Sequence, residues 1–178
     1  MPRLLLPALL ALAACGQATS VPATAPTAAL AGAPAGFDLP ALTGRVVDRA
    51  DVLPAADEAE ITAKSQALDR ATGHQIVVVT VPSLGGHAIE QYALALGNAW
   101  GVGRKGIDDG VLLVVAPTER KVRIEVGKGL TGSLSDRAAQ GIIDSDILPA
   151  FRSGDFARGI ERGVDGVIRA IGPSGDAT

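Results

Sequence analysis

The chain has 178 residues, 47% of them hydrophobic and only 3% aromatic, and a formal net charge of −3. Acids and bases are interspersed, with no basic run and few rings to stack on bases, which excludes the usual kinds of nucleic-acid interface. One cysteine, Cys15, excludes an internal disulfide and any CxxC metal or redox site, so the fold must rest on its core.

The first fifteen residues read as an export signal. Arg3 precedes an apolar run, Leu4 to Leu12, that is too short to span a bilayer and ends in small residues. The sequence Leu12-Ala13-Ala14-Cys15 resembles a bacterial lipobox. That resemblance implies cleavage after residue 14, lipid on Cys15 and an extracytoplasmic, membrane-anchored protein, with multiple acyl chains giving a stable anchor. Gly16 in place of Asp after the cysteine points to the outer membrane if the cell has two. Residues 15–41, rich in Ala, Pro, Thr and Gly, read as a flexible tether. Residues 42–172 read as one domain and 173–178 as a disordered tail. No second apolar run is long enough to cross a membrane.

Within the domain, Gly44 to Val52 is a lead-in containing Val46-Val47-Asp48. Pro54 opens a helix, where its fixed φ suits the first turn. Asp57, Glu58 and Glu60 lie near its positive end, Ile61, Ala67 and Leu68 form a stripe, and Gly73 stops it. Gln75–Val81 is β-branched and nearly all apolar, hence a buried strand. Ile89–Trp100 has helical spacing at Ile89, Tyr92, Ala93, Leu96 and Trp100. After a glycine-rich loop, 101–110, Val111–Ala116 is a second buried strand. Lys121–Val126 alternates strictly and pairs with it as a hairpin. Ser135 N-caps a helix reaching about Leu148, and a last helix runs from Gly154-Asp155 to about Ile171. This order predicts a three-layer α/β/α sandwich around a small mixed sheet: a parallel pair with a right-handed crossover, plus an antiparallel hairpin strand.

The hairpin brings Asp108-Asp109-Gly110 beside the 127–132 loop and the Ser135 helix. Adjacent carboxylates on a glycine-rich loop can present oxygens to a hard cation such as calcium or magnesium. Asp108, Asp109 and Asp136 are therefore the candidate metal ligands, against the plainer reading of a solvated Asp-Gly turn. Gly127-x-Gly129-x-x-Gly132 matches a dinucleotide fingerprint but follows a half-exposed strand, and no parallel strand follows its helix, so a nicotinamide site is rejected. Glycine amides near a helix start still suit an anion; Gly127, Gly129 and Thr131, with Arg120, are the candidate anion or substrate groups, although Arg120 is predicted at the far end of the sheet with Asp48, Ser83 and Glu119. Asp144 and Asp146 read as a polar helix face. His74 and His87 are expected at the surface, without metal-binding spacing.

Taken together, several segments resemble the TPM-domain family, which includes thylakoid-lumen acid phosphatase-like and exported bacterial proteins. These are Val47-Asp48-Arg49-Ala50, the strand from Gln75, Trp100-Gly101-Val102-Gly103, Asp109-Gly110-Val111-Leu112-Leu113, Arg120 to Gly127, Gly129-Leu130, and Pro149 with Phe151 to Phe156. The resemblance covers about Val46 to Ile171. It implies an α/β/α sandwich, divalent-cation binding, a phosphatase activity that is uneven across members, and work on membrane-protein repair or assembly. The chain departs from the family pattern at Thr131, where an acid is frequent, and at Glu119, where Asp commonly precedes the arginine. Many bacterial members carry a C-terminal membrane helix; here an N-terminal lipid is expected in its place. Two functions follow as expectations: a cation-binding module assisting an envelope or membrane-protein complex, and a metal-dependent phosphomonoesterase.

Overall fold

A computed structural model describes residues 36–173. The export signal, Cys15 and the tether up to residue 35 lie outside the described residues, as does most of the C-terminal tail. Four strands form one sheet in the order β1 (Val46–Asp48), β2 (Gln75–Thr80), β3 (Gly110–Ala116), β4 (Lys121–Val126). The first three are parallel and β4 is antiparallel to β3. Helix α1 (Ala55–Thr72) links β1 to β2 and α2 (Ile89–Trp100) links β2 to β3. After β4 come a short 3-10 turn, α3 (Asp136–Ile142), a π turn (Ile143–Ile147), α4 (Leu148–Arg152) and α5 (Phe156–Ile171).

The period-2 pattern of the buried strands divides the core. Ile76, Val78, Val111, Leu113, Val115 and Ile124 face α1, α3 and α5, meeting Ile61, Leu68, Ala139, Ile160 and Val164. Val77, Val79, Leu112 and Val114 face α2, meeting Tyr92, Ala93, Leu96 and Trp100. The predicted α/β/α sandwich with a mixed sheet is what forms. It has one strand more than expected: β1 has three residues, of which only Val47 is buried, too short for alternation to show. Asp48 closes its end, accepting bonds from the Thr80 hydroxyl and, at 2.8 Å, from the Leu53 amide. The sheet grows in one direction, yet α1 and α2 lie on opposite faces. The two crossovers therefore have opposite hands, and one departs from the right-handed rule.

Three further details differ from the sequence reading. The helix from Ser135 continues to Arg152 through the π turn, just before Pro149, whose missing N–H breaks the regular ladder. Residues 37–41, assigned to the tether, dock on α2. Leu39 is buried, the Tyr92 hydroxyl donates to the Asp38 carbonyl at 2.8 Å and Trp100 Nε1 donates to the Pro40 carbonyl at 2.9 Å. His87 is half-buried rather than exposed, stacked on Phe37 with centroids 4.0 Å apart, because this docked segment covers it.

Candidate functional site

The amino ends of β2 and β3 and the carboxyl end of β4 bring the glycine-rich loop 101–109 against residues 127–130, as the hairpin predicts. Asp108 and Asp109, adjacent in sequence, have opposite fates. Asp109 is 1% exposed. One of its oxygens accepts the Arg104 backbone N–H at 2.7 Å, and the other accepts Arg104 Nε at 2.7 Å and Nη2 at 2.5 Å. His74 Nδ1 lies 3.5 Å from that second oxygen, so His74 is half-buried against the carboxylate instead of solvated. Burial pushes the Asp109 carboxyl up, but the hydrogen bonds and charge of Arg104, with His74, outweigh it and hold the pKa at about 2. The same hydrogen bond raises Arg104 above its ordinary value. The guanidinium lies over Gly73, where a Cβ would come within 2.7 Å of it. Arg104 is the residue the sequence reading missed.

Asp108 is exposed, with φ +56, and lines a cleft of about 260 Å³ with Leu94, Asn98, Glu125 and Lys128. Asp136, exposed, sits in the first turn of α3 behind the Ser135 N-cap, whose side chain accepts the Ala138 N–H at 3.3 Å. Asp108, Asp109 and Asp136 thus sit in three different settings. Asp109 is already neutralised by Arg104, and among the described residues no three His, Cys, Asp or Glu side chains gather closely enough to hold one ion.

Gly127, Gly129 and Thr131 of the candidate anion set bond within the chain. The Gly127 N–H donates to the Gly110 carbonyl at 2.8 Å and the Gly129 N–H to the Asp108 carbonyl at 3.0 Å. The Thr131 hydroxyl donates to the Lys128 carbonyl at 3.0 Å. Gly127 and Gly129 are glycine because two backbones meet there: a Cβ on either would collide with the Asp108 or Ile107 carbonyl oxygen. Their amides close the loop and leave none aimed at a ligand.

Arg120 is at the other end of the sheet, in the β3–β4 turn with φ +54. Beside it, Glu119 accepts the Ser83 hydroxyl at 2.8 Å and the Leu84 N–H at 2.9 Å. The Leu84 bond leads in holding its carboxyl below the ordinary range. Ser83, Glu119 and Arg120 thus gather at this end as predicted, while Asp48 is committed to Thr80. The Ser83–Glu119 contact ties the loop after β2 to the hairpin.

A mixed four-stranded sheet with helices packed on both faces makes this an α/β/α sandwich domain. The model of the TPM domain matches residues 46–170, so the chain belongs to the TPM-domain family. It is similar to the N-terminal domain of a P. gingivalis protein, at 34% identity and a TM-score of 0.69, over 75% of this chain and 91% of that one. The N-terminal domain of the cg2496 protein from Corynebacterium glutamicum shares 21% identity with a TM-score of 0.60, covering 84% and 91%. The BA42 protein of Bizionia argentinensis shares 19% with a TM-score of 0.59, covering 72% and 90%; these last two are likenesses of fold. No curated protein gives a significant match.

Proposed function

We propose that this protein is an extracytoplasmic TPM-domain module, tethered to a membrane by a lipid on Cys15, that binds a membrane-protein or envelope complex and assists its assembly or upkeep. The Arg104–Asp109 pair carries the reading. A phosphomonoesterase at the glycine-rich end would need Asp109 free for a cation and glycine amides free for phosphate, yet the acid is neutralised and the amides are engaged. Loop 101–109 is closed by the Arg104–Asp109 bonds and by the facing 127–129 backbone. Leu94 on α2, which lines the cleft beside Asp108, and Ile107 in the loop are two of the three large apolar side chains left exposed among the described residues, at 53% and 49%. Apolar side chains exposed around a cleft suit contact with another protein. Calcium or magnesium enters only as a surface ion near Asp108, and nothing in the reading depends on it.

The test has two arms. A photo-crosslinker at position 94 should capture a membrane-protein partner in envelope membranes, whereas one at position 162 should not, and Leu94→Asp should abolish the capture. The second arm assays hydrolysis of p-nitrophenyl phosphate with calcium or magnesium. Turnover by wild type that vanishes in Asp108→Asn would overturn the module and establish the phosphatase. A calcium-dependent rise in melting temperature, saturable and lost in the same variant, would reinstate the cation site.

A further inference from the structure

We propose that the pocket between the β3–β4 turn and the α4–α5 corner binds small organic anions, with a phosphate or carboxylate attached to an apolar or aromatic body. The pocket lies at the opposite end of the sheet from the surface discussed above and is independent of that reading. It encloses about 580 Å³, within the range of small-molecule sites. It opens at the carboxyl end of β3, the end of a parallel sheet at which ligands of α/β folds gather.

Its walls have two chemistries. Phe151 and Phe156, tilted against each other with centroids 4.9 Å apart, form an apolar side with Leu148 and Pro117. Arg120 and Lys121 from the hairpin and Arg152 from the end of α4 supply three positive charges, and no acid lines the pocket. None of the three forms an ion pair among the described residues.

Of the acids closest in sequence, Glu119 also feels the charge of Lys121, but both hydrogen-bond elsewhere. Glu119 is bonded to Ser83 and Leu84, and Asp155 caps α5 by accepting the Arg158 N–H at 3.1 Å. The charges of Arg120 and Arg152 are therefore left for a ligand to complete, with Lys121 adding to them. Two guanidiniums and an ammonium suit a phosphate or carboxylate through charge-assisted hydrogen bonds. Arg120 sits at φ +54, a backbone conformation in which glycine would be easier, so the turn carries its guanidinium at a conformational cost. The apolar wall and the volume exceed what inorganic phosphate would use, which is why the ligand is assigned an organic body.

The experiment is calorimetric titration of the full chain with 1-naphthyl phosphate, 1-naphthol, inorganic phosphate and phosphatidylglycerol vesicles. Expected is saturable binding of 1-naphthyl phosphate, with each fragment alone weaker by about tenfold or more. The double variant Arg120→Gln/Arg152→Gln should lose about tenfold or more, and Arg162→Gln, on the exposed side of α5, should bind as wild type. Both altered guanidiniums belong to exposed residues, so the fold is expected to survive; Lys121→Gln, expected to weaken binding by a smaller factor, provides a second readout if it does not. Unchanged affinity in both charge variants would overturn the proposal. So would inorganic phosphate binding as tightly as the naphthyl ester, or binding confined to phosphatidylglycerol vesicles.

Discussion

Replacing Asp109 by Asn isolates what the glycine-rich end is built to do. In the folded chain the carboxyl, 1% exposed, is held at about 2, against an ordinary 3.8. That difference corresponds to roughly 2–3 kcal/mol of stability at neutral pH. Arg104 is 47% exposed on its side-chain atoms, so a guanidinium released from the pair regains water and part of the loss is offset. The expected net destabilisation is about 2 kcal/mol, or roughly 6–8 °C in melting temperature for a domain of this size. The sign follows from the lowered pKa: the contribution is complete above the unfolded value of 3.8 and disappears as pH falls through about 2. Thermal unfolding followed by circular dichroism at a series of pH values from neutral to about 2 reads this directly. The wild-type advantage over Asp109→Asn should be full at neutral pH and shrink steadily below pH 4. Glu119 and Glu161 are also held below their ordinary values, but they are present in both proteins and cancel in the difference. A gap that is the same at the acid end as at neutral pH, or a variant as stable as wild type, would refute the assignment of Asp109 as a structural anion. A variant more stable than wild type would mean that the carboxylate is strained toward some other role.

Two further outcomes follow from the packing. Gly127→Ala should lower stability by about 3 kcal/mol, because the new methyl meets the Asp108 carbonyl and the two backbones must separate; urea unfolding should show an earlier midpoint at an unchanged slope. Trp100→Phe should cost about 1 kcal/mol through the lost bond to the Pro40 carbonyl. It should also speed proteolysis between residues 36 and 42 while cleavage within the sheet stays slow, as mass spectrometry of limited digests would show.

Local periodicity carried much of the architecture. Lys121–Val126 and Ile89–Trp100 have the bounds the sequence predicts, because an alternating strand and an amphipathic helix each declare which face is buried over enough residues to be read. The stop at Gly73 and the cap at Ser135 were equally legible, each being a local backbone requirement met by one residue. Strand β1 was not, since three residues give no period. The docking of residues 37–41 was hidden because an Ala- and Pro-rich composition looks the same whether the segment is free or held by Tyr92 and Trp100 from far along the chain.

The candidate site was legible in location, but the pairings of its side chains were not. The sequence brought residues 108–110 and 127–132 to one end of the sheet, and they are there. Only the tertiary structure decided that Asp109 turns inward to Arg104 and that the amides of Gly127 and Gly129 are taken by carbonyls of the facing loop. A side chain's partner in an irregular loop depends on a few positive-φ turns, here at Gly103, Gly106 and Asp108, which follow no period. The cationic pocket is likewise a tertiary product. Arg120 and Arg152 lie on separate elements, and their shared field exists because the hairpin and the α4–α5 corner meet across Phe151 and Phe156, while Glu119 and Asp155 are bonded away from it.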